Sequence, residues 1–510
     1  MSAYETIYLV REPDRGGESL CSKLGTSALA ASIKVMTLAQ VKDVSDLHLA
    51  DASQFRAKLE AAMTSAVMLS DVVALERKLA RDKAFESCAD LATEPDILAV
   101  MIPVLRKFGL VGEERNAKIL YLSMTSRLLP RIVSVIVKGQ SSTGKSYTAE
   151  QVIKLFPASA YYVMTASSDK ALIYTQENFK QRIIIMFEAA AWGDSDFAMY
   201  LIRSLLSEGR IAYDTVVDSP DGPVGKRIEK EGPTGLWTTT TATAIHPENE
   251  TRLLTLNSDE STQQTARVLL AIAETNGAVP PDVPQWHDLQ EWIQAGDVRV
   301  AIPFAVALAE LIPPLASRLR RDFKALLSFI AAHALLHQAT RAREDSGAVI
   351  ATIESDYAAI RELLHDLMSE NIAAGVPPPV RETVEAVRKL LVDGKASITN
   401  TELAKALKVD KSNASRRSKS AIASGYLRNE ETRRGKPAQL QLGDSMPDDA
   451  AILPTVEQLR TAHQASATVQ PAVNLTDAAC SNQPLRGCGE IAGEAPRSDE
   501  GDEVVMEGEL

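Results

Sequence analysis

One eight-residue segment limits the possible folds of this chain more than any other feature of its sequence. Residues 139–146 read GQSSTGKS and match the pattern G-x4-G-K-[ST] in full. The apolar run of residues 132–137 precedes the segment, and the helix-forming residues 147–155 follow it. In this strand, turn and helix context, backbone N–H groups of a glycine-rich turn can wrap a polyphosphate. The motif therefore predicts an α/β P-loop NTPase core with a parallel sheet.

Every residue of the motif is a candidate nucleotide ligand: Gly139, Gln140, Ser141, Ser142, Thr143, Gly144, Lys145 and Ser146. Lys145 is expected to reach the β- and γ-phosphates of ATP, and the Ser146 hydroxyl is expected to bind Mg²⁺. ATP and Mg²⁺ are thus the expected cofactors. A turn that binds no nucleotide is the alternative, and the flanking strand and helix argue against it.

A second predicted strand, residues 183–187, ends at Glu188. At this place a P-loop sheet presents the carboxylate that holds Mg²⁺ or polarises the attacking water. The usual Asp–Glu pair is absent, because Phe187 and Ala189 flank the single acid. Both roles therefore stay open for Glu188, as does that of a charged residue that merely ends a buried strand.

A third predicted strand ends in the polar run LWTTTT, residues 236–241. Thr239 or Thr240 is a candidate for positioning the attacking water, although threonine is also an ordinary strand residue. Arg252 follows in the segment ENETRLL. At the end of a helix in a ring-forming ATPase, Arg252 could stabilise the γ-phosphate bound by a neighbouring subunit. A surface ion pair with Glu248 is the alternative.

Between the second and third strands, residues 210–217 and 224–230 flank an Asp-Gly turn and predict a β-hairpin. The return strand carries Lys226, Arg227 and Lys230, which places positive charge on a projecting finger. Such a finger is suited to DNA phosphates. An ordinary solvated hairpin fits the same charges.

Residues 380–443 predict three helices and a hairpin, which is the pattern of a winged helix-turn-helix. This module contains 14 basic and 7 acidic residues. The candidates for DNA contacts lie on its third helix and at its wing tip: Ser412, Asn413, Ser415, Arg416, Arg417, Lys419, Arg433, Arg434 and Lys436. Winged helices also dock proteins, so that alternative stays open.

The formal net charge of -12 comes almost wholly from one end of the chain. Residues 444–510 hold 13 acids against three arginines and almost no aromatic residues. Such a composition cannot bury enough apolar surface to offset the entropy of ordering, so this acidic tail is predicted to be disordered. The remainder of the chain is close to neutral.

At 510 residues the chain is too long for one hydrophobic core. The predicted segments are a partial α/β unit (1–50), a helical connector (51–130), the ATPase core (131–276), a helical lid region (277–372), the winged helix (380–443) and the acidic tail (444–510). No signal peptide and no apolar run long enough to span a bilayer is found. The four scattered cysteines lack zinc spacing, so a cytoplasmic protein with reduced thiols is expected.

Taken together, the motifs resemble the primase-helicase-like P-loop proteins of phages, plasmids and integrated elements, whose motors are AAA+-like. The resemblance covers about residues 115–370 and rests on five stretches: KGQSSTGKS, LLSEGRIAY, GPTGLWTTTT, ENETRLL and DESTQQT. It implies an ATP-dependent DNA motor, helicase-like, that assembles as a homo-oligomeric ring and replicates a mobile element. DNA is the implied partner.

The same resemblance extends to the N-terminus. Residues 12–17, EPDRGG, are similar to the D-x-D-x-x-G metal motif of Toprim domains, with Glu12 in the first place and Asp14 in the second. Residues 42–46 also fit the way such domains end. No earlier strand supplies the general acid–base glutamate, so a partial Toprim segment without primer synthesis is expected.

Two other functions remain compatible with the sequence. One is a transcriptional regulator that uses ATP to remodel a partner and finds its site through the winged helix. The other is an inactive remnant of a primase-helicase, which the partial Toprim segment suggests.

Overall fold

The fold is described from a computed structural model. It describes residues 6–466, except for 26, 28, 29, 39, 40, 165–170, 189–199, 202, 205, 208, 220, 221, 242–251, 276, 278, 315–317, 375, 393, 394, 432, 434, 435, 445 and 447–451. In this part of the chain, no helix combines the length and the apolar character needed to cross a membrane.

The N-terminal region is a small α/β unit. Its elements are β1 (Ile7–Val10), α1 (Arg15–Gly25), β2 (Ile33–Met36), α2 (Val44–Ala50), α3 (Phe55–Thr64), β3 (Val67–Met68) and α4 (Leu69–Ala92). Strand β2 pairs in parallel with β1 and antiparallel with β3. The unit does not end at residue 50, as the sequence predicted, because Leu69 at the start of α4 is buried beside Ile33 and Cys21.

The central sheet has five parallel strands in the order β10-β4-β9-β6-β5. The strands are β4 (Val135–Lys138), β5 (Tyr161–Met164), β6 (Arg182–Met186), β9 (Thr234–Thr240) and β10 (Leu254–Asn257). Strands β4 and β6 are continuous apolar runs because parallel sheets are covered on both faces. This confirms the predicted α/β core, and the strands end at one common edge, called here the carboxyl edge.

Helices and one hairpin surround this sheet. The helices before and within it are α5 (Ile97–Lys107), α6 (Glu114–Thr125), α7 (Lys145–Ile153) and α8 (Ala171–Tyr174). Strands β7 (Arg210–Ser219) and β8 (Gly222–Glu231) pair antiparallel over their whole length and form the predicted hairpin. Their residues Val216 and Val224 are exposed, so the hairpin projects from the sheet.

A helical region follows the sheet: α9 (Thr262–Thr275), α10 (Pro284–Ala295), β11 (Val300–Ala301), α11 (Ala305–Leu311), α12 (Leu319–Leu336), β12 (Val349–Ile350) and α13 (Ala358–Ala374). The predicted connector, ATPase core and lid region do not have separate cores. One hydrophobic cluster joins Leu105 of α5, Val135 of β4, Trp286 of α10 and Leu335 of α12. The P-loop strand is therefore supported by helices from both sides of the sequence.

A buried polar cluster fixes the centre of the helical region. Asp356 is fully buried and accepts from a ring nitrogen of His333 at 2.8 Å and from Arg341 Nη2 at 2.9 Å. Burial raises the pKa of Asp356, but these hydrogen bonds outweigh burial and lower the pKa to about 2. His337 stacks on His333, with ring centroids 4.3 Å apart. The cluster is polar, but its hydrogen bonds satisfy it.

His337 makes stability depend on pH. Its Nε2 accepts from the backbone N of Ile97 at 3.2 Å, and its Nδ1 faces the His333 carbonyl oxygen at 2.9 Å, so the folded state holds a neutral ring. Burial, together with the charge of His333, lowers the pKa of His337 to about 4. Below pH ~6.5 the unfolded state therefore binds more protons at this ring than the folded state does. The stability that the neutral ring contributes is present above that pH and is lost as pH falls towards 4.

We expect the free energy of unfolding to fall by about 2 kcal/mol between pH 7.5 and pH 5 through His337 alone. The measurement is urea unfolding at both pH values for the wild type and for His337→Gln, whose amide oxygen can still accept from Ile97. The variant should show a flatter profile. Equal pH slopes in the two proteins would contradict the assignment.

The C-terminal module contains three helices and a two-stranded hairpin: α14 (Pro378–Val392), α15 (Asn400–Leu407), α16 (Lys411–Ala423), β13 (Leu427–Asn429) and β14 (Leu440–Leu442). It has its own core, which includes Val384, Leu403 and Leu440. Pro378 and Pro379 lie in the first turn of α14. Proline is tolerated there because the first-turn N–H groups have no helical partner.

Residues 452–466 of the acidic tail are folded, which corrects the prediction that disorder begins at residue 444. Ile452, Leu453 and Leu459 are fully buried in the main core, and α17 spans Val456–Ser466. The Pro454 carbonyl oxygen accepts from Tyr357 Oη at 2.7 Å and from Arg361 Nε at 2.8 Å. A few apolar residues can thus dock a segment whose average composition is polar. Residues 467–510 lie outside the described part.

Candidate nucleotide-binding site

The P-loop motif connects β4 to α7 by a turn with left-handed residues. Ser142 has φ +67° and Gly144 has φ +82°, and α7 begins directly after Gly144. Glycine adopts this conformation without the strain that a Cβ atom would add. The turn aims the unpaired N–H groups of the first helical residues at one point, which is the geometry that anions prefer.

Lys145 and Ser146 are the first two residues of α7. The Lys145 side chain is buried, and its ammonium donates to the Gln140 carbonyl oxygen, so it lies across the loop. Ser146 is only partly covered. An ammonium and a hydroxyl at a helix N-terminus form a donor set that fits a polyphosphate and its Mg²⁺.

The structure brings Glu188 and Thr239 together at the carboxyl edge. Strand β9 lies between β4 and β6, and Thr239 pairs with Val137 of β4. The buried Thr239 Oγ1 accepts from the backbone N of Glu188 at 2.9 Å. Glu188 lies two residues beyond β6, has φ +67° and an exposed carboxylate. A hydroxyl therefore lies at the end of β9, the neighbour of the P-loop strand, and an acid follows β6, the next strand along the sheet.

Thr240 supports the loop through its backbone. Its carbonyl oxygen accepts from the Gly139 backbone N at 3.3 Å. Its side chain is buried. Of the two threonine candidates, Thr239 has the hydroxyl that contacts the Glu188 backbone.

Sequence reasoning missed one set of residues at this site. Directly after β10, Glu260 Oε1 accepts from the backbone N of Gln140 at 2.6 Å, and Ser258 Oγ lies 2.9 Å from Thr143 Oγ1. Glu260 belongs to the stretch DESTQQT, residues 259–265, and Ser258 directly precedes that stretch. The order of the strands could have indicated these residues, because β10 is the neighbour of the P-loop strand β4 and the ends of both strands lie side by side.

Arg252 lies at the opposite edge of the sheet from the P-loop. It occupies a turn two residues before β10, and the residues before it, 242–251, lie outside the described part. The helix expected to end at Arg252 would fall on those residues, outside the described part. After Arg252 the structure shows the beginning of strand β10. Its guanidinium is half-buried and lies 3.5 Å from the Arg203 carbonyl oxygen.

A cavity of about 530 Å³ surrounds Arg252 at this amino edge. Its walls come from the residues before β4, the first residue of β9 and one side of α12. Three more cationic side chains line it: Arg131, Arg321 and Lys324. Asp322 also lines it and pairs with Arg318 at 3.2 Å, so the lining as a whole stays cationic.

The three basic hairpin candidates differ in their surroundings. Lys226 and Arg227 are exposed on β8, and Arg227 pairs with Glu229 at 2.8 Å. Lys230 is only partly exposed, and its ammonium donates to the carbonyl oxygens of Thr175 and Glu177. Lys230 therefore joins the base of the hairpin to the segment between α8 and β6, which corrects its expected place on the outer surface.

The third helix of the C-terminal module, α16, presents a polar face to solvent. Ser412, Arg416 and Lys419 are exposed at a spacing that places them on one face. Asn413 and Ser415 are half-covered, and the Asn413 side chain accepts from Arg416 at 3.2 Å.

Arg417 does not belong to this face. Its Nη1 pairs with Glu382 Oε2 of α14 at 2.8 Å, and only 22% of its side chain is exposed. It therefore joins two helices of the module, which corrects its expected role. At the hairpin tip Arg433 and Lys436 are exposed, whereas Arg434 lies outside the described residues.

The two carboxylates expected to hold a metal near the N-terminus share a lysine instead. Lys42 Nζ lies 3.2 Å from Glu12 Oε2 and 3.5 Å from Asp14 Oδ2. Among the described residues, no three metal-binding side chains gather anywhere. An ammonium between two carboxylates replaces the charge that a metal ion would supply.

Comparison with known proteins supports the core. A family described as the MTBMA_p00010 P-loop domain matches residues 82–283, which is less than half of the chain. No curated protein sequence matches the chain. The parallel sheet, the phosphate-loop turn and this family match together define the class: the chain contains an α/β P-loop NTPase core.

Two solved structures are similar at low identity. The ORC1 protein of Aeropyrum pernix, solved in complex with DNA, shares 13% identity with a TM-score of 0.24, and the match covers 71% of this chain and 94% of that protein. A full-length MCM homolog from Methanopyrus kandleri shares 14% identity with a TM-score of 0.33, and the match covers 59% of this chain and 62% of that one.

Proposed function

We propose that this protein is a cytoplasmic ATP-dependent DNA motor, helicase-like and AAA+-like, in the replication of a mobile element. The observation that carries the proposal is the meeting of the P-loop, Glu188 and Thr239 at one edge of a parallel sheet. Hydrolysis of a phosphate bond needs a cationic cradle, a carboxylate and a group that orients water, and these residues supply all three.

Each residue has a distinct task in this proposal. Lys145 binds the β- and γ-phosphates, and the backbone N–H groups of residues 142–146 hold the remaining phosphate oxygens. Mg²⁺, when bound, neutralises charge that develops on the transferred phosphoryl group. Ser146 and Glu188 are the residues of this chain that would hold the ion. Glu188 with Thr239 orients the attacking water, and Glu188 is also the candidate base.

DNA is the proposed polymer on which the motor works. The projecting hairpin presents Lys226 and Arg227, and we assign the C-terminal module as a winged helix with Ser412, Arg416 and Lys419 on the DNA-facing side. Arg433 and Lys436 at the wing tip add phosphate contacts. The resemblance to primase-helicases of mobile elements supports the same substrate.

A homo-oligomeric ring is the proposed assembly. Arg252 and its own P-loop lie at opposite edges of one sheet, so Arg252 cannot act on the nucleotide of its own chain. Head-to-tail contacts would bring the carboxyl edge of one subunit to the amino edge of the next, and such heterologous contacts close into rings. The cationic cavity at the amino edge would then receive the neighbour's γ-phosphate.

The test is ATP turnover by the purified protein alone, with single-stranded or forked DNA, and with defined duplexes. Stimulation by single-stranded or forked DNA supports the motor. Stimulation by only one duplex sequence would instead identify the ATP-dependent regulator, and absence of ATP turnover under all conditions would identify an inactive remnant.

The hairpin should couple DNA to hydrolysis. Reversal of charge in Lys226→Glu with Arg227→Glu is expected to reduce DNA-stimulated turnover at least about tenfold, because phosphate contacts release counterions. Basal turnover should stay unchanged, since neither side chain contacts the P-loop. Arg77→Glu with Lys78→Glu, which reverses two exposed charges on α4, is the control. Equal loss of basal and stimulated rates would place the role of the hairpin elsewhere.

A further inference from the structure

Residues 257–260, which comprise the last residue of β10 and the three residues after it, lie against the P-loop. We call this segment the strap. The Ser258 backbone N donates to the Lys138 carbonyl oxygen at 2.9 Å, and Ser258 Oγ lies 2.9 Å from Thr143 Oγ1. A Cβ atom added to Gly139 would lie 2.0 Å from Ser258 Oγ. The first glycine of the motif thus leaves room for the strap.

The other side of the strap is fixed to the start of α6. Glu113 Oε1 accepts from the Asp259 backbone N at 2.8 Å, and the Asn257 carbonyl oxygen accepts from Asn116 Nδ2 at 2.9 Å. Glu113 is only 7% exposed, and burial raises its pKa. The strap therefore lies in a defined position between the loop and a core helix.

Glu260 is the strap residue that touches the loop with a charge. Its Oε1 accepts from the Gln140 backbone N at 2.6 Å, while Lys145 donates to the carbonyl oxygen of the same residue. A carboxylate that accepts from a backbone N–H makes a short, charge-assisted hydrogen bond. In the structure, both the Glu260 carboxylate and the Lys145 ammonium contact the backbone of Gln140 in the P-loop.

A bound polyphosphate opposes this arrangement. Lys145 has to leave the Gln140 carbonyl oxygen to reach the phosphates, and the phosphates bring several negative charges beside the Glu260 carboxylate. The Glu260 side chain is exposed, so solvent screens this repulsion, but like charges this close to each other still repel. ATP carries one phosphate group more than ADP, so the repulsion is larger for ATP.

We propose that Glu260 is a specificity-determining residue of the nucleotide site: its carboxylate, which contacts the P-loop, weakens the binding of ATP more than that of ADP. The inference rests on the proposed nucleotide-binding function. Because α9 begins at Thr262, two residues further on, displacement of Glu260 also moves the start of that helix. The exposed face of α9, with Leu269, Leu270 and Ile272, then responds to the nucleotide.

The experiment compares Glu260→Gln with Asp259→Asn. Glutamine keeps the shape and an oxygen that can accept from Gln140 N, but it removes the charge. Asp259 lies in the same strap, and its carboxylate accepts from Ser261 N at 2.9 Å instead of from the P-loop. The second variant thus removes an equal charge one residue away from the contact.

Calorimetric titration should show ATP bound about 10-fold more tightly by Glu260→Gln than by the wild type, which equals about 1.4 kcal/mol, and ADP only about threefold more tightly. The KM for ATP should fall while kcat changes little, because the effect is on binding. Asp259→Asn should leave both affinities within about twofold. In the wild type, ATP should change hydrogen exchange in residues 257–265, and this change should shrink in Glu260→Gln.

Three results would overturn the inference. They are unchanged or weaker ATP binding by Glu260→Gln, an equal gain for ATP and ADP, or an equal gain in Asp259→Asn. Each requires that the wild type binds nucleotide. Wild-type protein that binds neither ATP nor ADP would refute the proposed function itself, and the role of Glu260 with it.

Discussion

Lys145→Ala is expected to abolish ATP hydrolysis, with turnover at least about 10³-fold below that of the wild type. The side chain is buried at the start of α7, and among the residues of the loop it supplies the one full positive charge. Without it the developing charge on the β- and γ-phosphates loses its nearest counter-charge. Phosphate release by purified protein is the measurement, with and without single-stranded DNA.

The control for this variant is Lys107→Ala, which removes an exposed lysine from α5. It should hydrolyse ATP at the wild-type rate. Thermal unfolding of Lys145→Ala should remain close to that of the wild type, which separates loss of chemistry from loss of fold. Unchanged turnover in Lys145→Ala would remove the motor assignment altogether.

Arg252→Ala is expected to bind ATP normally and hydrolyse it about 10³-fold more slowly, which is the low end for the loss of an arginine finger. Binding is preserved because Arg252 lies at the amino edge, away from its own P-loop. Filter binding and phosphate release measure the two steps separately. Arg320→Ala, which removes an exposed arginine of α12 outside the cavity lining, should leave both unchanged.

A mixing experiment tests whether Arg252 acts on a neighbouring subunit. Mixed assemblies of Arg252→Ala and Lys145→Ala chains contain some interfaces at which an intact P-loop meets an intact arginine. These interfaces should restore part of the turnover that each variant lacks alone. If mixed oligomers form and remain inactive, Arg252 is not a trans-acting finger, and the ring loses its main structural support.

The sequence predicts those parts of the core that depend on local pattern. The P-loop strand, Glu188 and the Thr239 strand were placed within a few residues, because each combines an apolar run with polar residues at its end. The hairpin was also predicted, because two β-rich runs flank an Asp-Gly turn. The α/β P-loop core that these elements form is confirmed.

Partners distant in sequence could not be predicted. Glu260 contacts Gln140 only because β10 and β4 are neighbours in the sheet, and no local pattern states that order. Lys230 and Arg417 were assigned outward roles from their charge alone, whereas their partners are carbonyl oxygens and a glutamate far along the chain. Average composition also concealed the few apolar residues that dock the segment after residue 451.

That docked segment affects how the protein is made. The C-terminal module is an insertion, since residues 452–466 return to the helical region that ends at α13. On the ribosome, the surface around Tyr357 emerges about 100 residues before Leu453 and Leu459 of its covering segment. At roughly 5–20 residues per second this apolar surface stays uncovered for about 5–20 s. During synthesis it is therefore a natural binding site for a chaperone.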